Sequence, residues 1–314
     1  MSNIGVTMDT FIKLIYKVRI ALSSRDLFEN WIEALFKYVL SSLGLYRKTV
    51  KLRCLSGGYA NVEPWIIGRI VSSYYHRYIR NIKCVSGDLA INDLVVTIKR
   101  DKYVQIGSVK FIKDNSMIYE TFIKQPYSLV DVSGKVVIDV GAYIGDSTIY
   151  FLLRGADRVI AIEPNPVAYQ EMLENIRLNN LMDKVIPLNA GISNKHDKIC
   201  IHEQDVNEAI GIYYGTGKHP SCIAYVDALT LEDIVERYLG DVQDPWGSVL
   251  KMDCEGCEFT PLDISCQILL RFTQIIIEYH GEPYSLINHL KKCGFRVDII
   301  KKPWGSVGNM VGFK

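Results

Sequence analysis

A chain of 314 residues, 48% hydrophobic and 23% charged, is long enough for one large domain or two smaller ones with real cores. No uncharged apolar run approaches the roughly 18 residues needed to cross a bilayer, and the opening segment lacks the pattern of a secretory leader, so a cytoplasmic protein is expected rather than a membrane-spanning or exported one. The net charge of +1 hides an asymmetry: residues 1–130 carry 19 Lys and Arg against 10 Asp and Glu, and residues 131–314 carry 17 against 25. The basic front either docks on the acidic back or attracts an anionic partner such as a phosphorylated lipid or RNA. Eight cysteines, at 54, 84, 200, 222, 254, 257, 266 and 293, are scattered rather than dense, and a reduced state is expected.

In chain order, "MDTFIKLIYKVRIALSS" sets Phe11, Leu14, Ile15, Val18 and Leu22 on one helical face. Packing on the next helix is the expected fate, with a membrane surface as the alternative. Asp26-x-x-Glu29 has the form of a capping box for a second helix, with Leu27, Trp31, Leu35 and Val39 periodic and Gly44 placed to close it. A short strand, "TVKLRCL", and a Gly57-Gly58 turn precede Pro64, which suits the first turn of a third helix. "LVVTIKRDKYVQIG" and "SMIYETFI", divided by Lys113-Asp114-Asn115, read as β-hairpins. Residues 1–130 are thus expected to form an accessory helical and hairpin region.

From residue 131 the texture changes to short Val/Ile-rich runs alternating with helices, the signature of a parallel sheet covered on both faces. The strands are "KVVIDV", "RVIAIEP", "KVIPLNA", "SVLKMDC" and "QIIIEYH", with "FRVDIIKK" and "NMVGFK" as a closing pair. Helices open at "GDSTIYFLL", at Asn165-Pro166 and at Thr230-x-x-Asp233.

The first of these strands ends in Asp139, and Gly141 and Gly145 then bracket a turn into a helix, which gathers backbone N–H groups at one point. G-A-Y-I-G-D is neither a dinucleotide fingerprint nor a P-loop. The second strand ends at Glu163, 22 residues past Gly141, about where an acid accepts from both ribose hydroxyls. A ribose site without a pyrophosphate site points to S-adenosylmethionine. Farther on, "LKMDCEGCEF" offers either a Cys254-x-x-Cys257 pair or an acidic cluster of Asp253, Glu255 and Glu258. Asp253 and Glu255 are two apart on one strand, as are Glu278 and His280 on another, so each pair can point to one side.

"KVVIDVGAYIGDSTIYFLLRGADRVIAIEPNP", "LNAGIS", "VDALTLEDI", "LKMDCEGCE" and "IIIEYH", in this order over about residues 119–280, resemble the FkbM family of S-adenosylmethionine-dependent methyltransferases. The K-x-D-x-E-G-x-E element is the most specific part, and cysteines stand where that family commonly has small or apolar residues. The acids, not a thiol pair, are therefore expected to act there, and no metal is expected.

The resemblance implies a class I, Rossmann-like doubly wound sheet, mostly parallel with a C-terminal antiparallel strand, over residues 131–314. It implies that Asp139, Gly141, Ala142, Tyr143, Gly145, Asp146 and Ser147 surround the methionine portion of the cofactor. Glu163 with Pro164 would hold the ribose, and Asn189, Ala190 and Gly191 would flank the adenine; Tyr127 matches a position where the family tends to keep Tyr. Asp253, Glu255, Glu278 and His280 form the catalytic group: His280 or Glu255 as base, Asp253 positioning, Glu278 orienting His280. The polar stretch from Gly211 to His219, with Tyr213 and Tyr214, reads as a hairpin or flap over the acceptor. The expected reaction is O-methylation of a sugar or glycan. The alternatives are RNA methylation and a non-catalytic nucleotide- or glycan-binding domain.

Overall fold

The computed structural model describes residues 8–100, 102–202, 222–240, 247–254, 256–301 and 307–314. It divides into two compact units, Met1–Ser128 and Leu129–Lys314.

In the N-terminal unit, helix α1 (Met8–Leu22) runs into a 3-10 turn at Ser23–Asp26, and α2 spans Trp31–Ser42. The capping box expected at Asp26 and Glu29 is not formed. Asn30 stands at the N-cap, and its side chain faces strand β1 (Val50–Arg53) instead, accepting from Arg53 N at 2.9 Å and donating to Lys51 O at 2.8 Å. The far end of α2 closes as expected: Gly44 has φ +75°, Leu45 N donates to Leu40 O and Gly44 N to Ser41 O, both at 2.9 Å, the double bond of a Schellman ending. The expected apolar face is only partly used, because Ala34 is the buried residue of α2 and Val39 is 49% exposed.

Helix α3 (Pro64–Tyr75) starts at its proline as expected. It meets α2 closely at Gly68, where a Cβ would lie 2.5 Å from the Tyr38 ring. β1 pairs antiparallel with β2 (Tyr59–Val62). Two three-stranded meanders follow: β3 (Ile82–Val85), β4 (Asp88–Ile91) and β5 (Leu94–Val95), then β6 (Ile98–Arg100), β7 (Val104–Ile106) and β8 (Val109–Phe111). "SMIYETFI" is not a strand. It is a helical segment, α4 (Ser116–Tyr119) widening into a π turn over Glu120–Lys124. Asn115 Oδ1 caps it by accepting from Met117 N at 2.9 Å, and Ile118 and Phe122, one turn apart, are both buried. The β-branched and aromatic composition suggested a strand; the cap and the four-residue spacing decide for a helix.

The second unit is built on a seven-stranded sheet: β9 (Val136–Val140), β10 (Arg158–Ile162), β11 (Val185–Leu188), β15 (Ser248–Met252), β16 (Phe272–His280), β17 (Arg296–Lys301) and β18 (Val307–Phe313). Its order is β11-β10-β9-β15-β16-β18-β17, parallel throughout except for the antiparallel β18. The expected doubly wound architecture is thus present. Its parallel strands are almost continuously apolar because both faces are covered. The chain winds from β9 to one side through β10 and β11 and to the other through β15 and β16. The reversal opens a crevice at the carboxyl end of β9, where such sheets bind ligands.

Helices α5 (Asp146–Leu153) and α6 (Pro166–Leu178) follow β9 and β10, and α7 (Leu231–Leu239) precedes β15. Thr230 and Asp233 form a complete capping box on α7. The sequence did not signal a second, three-stranded sheet of β12 (Ala190–Ile192), β13 (Asp197–His202) and β14 (Cys222–Leu229), ordered β12-β14-β13. A single residue, Asn189, separates β11 from β12.

The eight cysteines are not reduced. They pair as Cys54–Cys84, Cys200–Cys222, Cys254–Cys257 and Cys266–Cys293, with Cα atoms 5.0–5.7 Å apart. Three of the pairs are 22 to 30 residues apart in sequence, which is why linear spacing did not reveal them. Cys200 and Cys222, for example, lie on the paired antiparallel strands β13 and β14.

Candidate active site

Asp139, fully buried, anchors the glycine loop. Its Oδ2 accepts from Ser147 Oγ and Thr148 Oγ1 at 2.7 Å each, which ties the end of β9 to the first turn of α5. On the neighbouring strand Lys251 lies directly opposite. Its Nζ stands 2.9 Å from Asp139 Oδ1, a buried charge-assisted contact. The same ammonium donates to Val140 O at 3.1 Å and Gly141 O at 2.6 Å. Burial by itself would lower the Lys251 pKa, but the Asp139 and Asp253 carboxylates outweigh it and hold the lysine above its ordinary value.

The loop requires glycine at 141. Its φ is +74°, and a Cβ would lie 1.9 Å from Asp253 O, so the chain after β9 runs against the main chain after β15. Gly141 N and Ala142 N donate to Ile162 O at 3.0 Å, and Gly145 N to Ala142 O at 2.7 Å. Asn175 Nδ2, from α6, donates to Ile144 O at 2.9 Å. These bonds fix the loop from β10, from itself and from a helix.

Glu163 caps β10 and is 5% exposed. Its Oε2 accepts from Tyr143 N and its Oε1 from Asn165 N, both at 2.8 Å. Tyr143 has φ +46°, so the loop turns its amide toward the acid at a conformation few side chains adopt. Burial pushes the Glu163 carboxyl up to about 7, against the pull of these two amides and of Lys251. Two amides fill about half of the four acceptor positions of a carboxylate. Asn189 Nδ2 donates to Glu163 O at 2.9 Å and Pro164 O at 3.1 Å, clamping this corner where β11 gives way to β12. Gly191 lies under it: a Cβ there would meet Ile199 Cδ1 at 2.2 Å and Pro164 Cβ at 3.6 Å.

Asp253 follows β15, its amide donating to Val140 O at 3.2 Å. Glu258, 1% exposed, folds back in the turn that follows. Its Oε2 accepts from Gly256 N at 2.5 Å, and its Oε1 stands 3.2 Å from both the backbone N and the ring Nδ1 of His280 at the end of β16. Glu258 thus places a carboxylate on His280, a role the sequence assigned to Glu278. Glu278 lies two residues before His280 on β16, opposite Asn309 of β18.

Asp139, Glu163, the 141–147 loop and Asn189–Gly191 thus gather at adjoining strand ends, with Asp253 just past the end of β15 and His280 at the end of β16. Ser147 and Asp146 are buried in the first turn of α5, the serine hydroxyl engaged by Asp139. Tyr127 is buried in a 3-10 turn, Pro126–Leu129. Glu255 and the Gly211–His219 stretch lie outside the described residues. Lys251 and Glu258 are the functional candidates that went unassigned; both stand in the K-x-D-x-E-G-x-E element, the signal that could have found them.

An adenosyl amino-acid cofactor fits these residues. Glu163 retains acceptor positions suited to two hydroxyl donors. The model for the methyltransferase FkbM domain matches residues 139–297. Among solved structures the chain is similar to the FkbM methyltransferase of Methylobacillus flagellatus KT, with 17% identity and a TM-score of 0.42 over 62% of this chain and 48% of that one. It is also similar to Aeropyrum pernix fibrillarin, crystallised with natively bound S-adenosyl-L-methionine, with 12% identity and a TM-score of 0.35 over 58% of this chain and 68% of that one. A stretch of 61 residues, 19% of this chain, is 46% identical to 15% of the probable protein arginine N-methyltransferase 6.2 of Oryza sativa subsp. indica. A match over 52 residues is 44% identical to the ribosomal protein L11 methyltransferase of Carboxydothermus hydrogenoformans, 17% of each chain. The chain spans less than a fifth of these curated relatives and about half of the FkbM structure. The family match covers half of the chain and runs from Asp139 through the glycine loop, Glu163, Lys251, Asp253 and His280: the chain belongs to the FkbM methyltransferase domain family.

Proposed function

We propose that the protein transfers a methyl group from S-adenosylmethionine to a hydroxyl oxygen of a sugar or glycan. The observation that carries the chemistry is the His280–Glu258 pair at the end of β16, one strand from Asp253. Glu163 accepts from the ribose hydroxyls, and Asp139 with the 141–147 loop surrounds the methionine end. The bound cofactor supplies an electrophilic methyl group. With Nδ1 turned to a buried carboxylate, Nε2 is the basic nitrogen of His280, and it takes the proton of the acceptor hydroxyl. Glu258 holds the ring in place and steadies the imidazolium that results, while Asp253 orients the acceptor.

His280→Gln keeps size and polarity but removes basicity. It should lower turnover by about two to four orders of magnitude while calorimetry shows unchanged affinity for S-adenosylhomocysteine. Near-normal turnover would mean that alignment alone carries the reaction. The acceptor class is read by labelled methyl incorporation into glycan and RNA fractions. RNA is the second reading, favoured by the 19 basic against 10 acidic residues of the front region; label in RNA, with steeply salt-dependent binding, would establish it over the glycan.

A further inference from the structure

The N-terminal unit contains a concave pocket of about 650 Å³ lined by Arg19, Arg25, Arg77 and Arg80 together with Tyr74 and Tyr75. Asp26 is the acidic residue of the lining, and it is paired with Arg25 at 3.4 Å. The guanidinium groups come from three places: the last turn of α1 (Arg19), the 3-10 turn that follows it (Arg25), and the segment leaving α3 (Arg77 and Arg80).

Arg77 shows that the pocket is built. Helix α3 ends in a Schellman arrangement: Tyr78 N donates to Ser73 O at 3.0 Å and Arg77 N to Tyr74 O at 2.9 Å. The residue just past the cap adopts φ +63°, a position that glycine fills at least cost and that a side-chain-bearing residue occupies under strain of about 1 kcal/mol. An arginine stands there, and its side chain lines the pocket. Strain kept at one position in favour of a charged side chain points from the outlier to a role. The surround is held as well: Arg80 donates to Ser128 O at 3.2 Å and its amide to Asn92 Oδ1 at 2.7 Å. Tyr75 meets Tyr16 edge-on with ring centroids 5.5 Å apart, and Tyr16 Oη is 2.7 Å from His76 Nε2.

We propose that this pocket binds a phosphorylated small molecule that carries a ring, of sugar-phosphate or nucleotide size. Guanidinium forks match phosphate oxygens in pairs. The two tyrosines offer a ring face and a hydroxyl to whatever the phosphate bears, and the volume falls within the range of small-ligand clefts. A strand of RNA would instead be tracked by an extended basic groove with successive stacking platforms; an open but local cluster of four arginines beside two tyrosines favours the small ligand.

The test uses the full chain and calorimetry with three probes: inorganic pyrophosphate for the phosphate chemistry itself, glucose 1-phosphate for a sugar phosphate and UDP for a nucleotide. At least one of the last two should bind more tightly than pyrophosphate, and which of them does so names the source. Arg19→Gln and Arg77→Gly should each weaken that probe by about ten-fold, one charge-assisted contact. Arg77→Gly should also leave the melting temperature unchanged or raise it, a result that general loss of structure does not produce. Silence with all three probes, or binding that neither variant weakens, overturns the site. A lowered melting temperature in Arg77→Gly overturns the argument from strain. A single-stranded RNA of about 20 nucleotides that binds more tightly than UDP and is released steeply by salt overturns the small ligand in favour of RNA.

Discussion

Lys251 and Glu163 are buried charges with opposite consequences. The Lys251 ammonium has Asp139 and two loop carbonyls around it, so Lys251→Met should destabilise the protein by about 3–5 kcal/mol in urea unfolding, because it strands a buried carboxylate. Adding Asp139→Asn should restore much of the loss; a single variant as stable as the parent would deny the pair its role. Glu163 has its pKa raised from 4.5 to about 7. Its contribution to stability is therefore full below pH 4.5 and is lost as pH rises through about 7. Ribose hydroxyls that donate to the ionised carboxylate reverse this on binding, so affinity for S-adenosylhomocysteine should rise several-fold from pH 6 to 8. Glu163→Gln should bind weakly and without that slope, as calorimetry at the two pH values would show. Glu163 was legible in the sequence from its distance to the glycine turn. Glu258 was not, because its place depends on a turn that folds it back onto the next strand, information that spacing along one strand does not contain.

Elements were legible where local chemistry and tertiary packing agree. Thr230 and Asp233 form the box their spacing suggests, and Thr230→Ala should cost about 1 kcal/mol, readable as a lower denaturation midpoint with an unchanged urea slope. At α2 the same kind of signal failed: Asn30 bonds to β1, and packing reassigned a residue that local rules would give to a helix cap. The Ser116–Lys124 segment failed in the other direction, since two buried aliphatic and aromatic side chains one turn apart also read as strand residues when the cap is overlooked. The sheet of β12, β13 and β14 was illegible because its pairing joins segments on either side of residues 203–221, and only long-range register creates it.

At the scale of the whole molecule, the alternating pattern implied a covered parallel sheet and the family resemblance its order, whereas the state of the cysteines was not implied. Closing loops of 22 to 30 residues, the three long disulfides are each worth about 3 kcal/mol on chain entropy alone. Thiol titration of unfolded, unreduced protein should therefore find few free sulfhydryls, and reduction should lower the melting temperature by many degrees. Eight titrating thiols would refute the pairing. Such bonds persist in oxidising compartments or in hyperthermophiles, so the environment in which the protein works is now an experimental question rather than a default.

β18 lies between β16 and β17 although it follows both in the chain. A ribosome that has released β17 but not β18 presents a nascent protein whose sheet ends at β16, with β17 lacking the strand it pairs with. The strands bearing Asp139, Glu163 and Asp253 are by then already made. Synthesis thus separates two events: the cofactor crevice can assemble early, while the edge carrying Glu278 and His280 remains an open template until the antiparallel strand arrives to cover it.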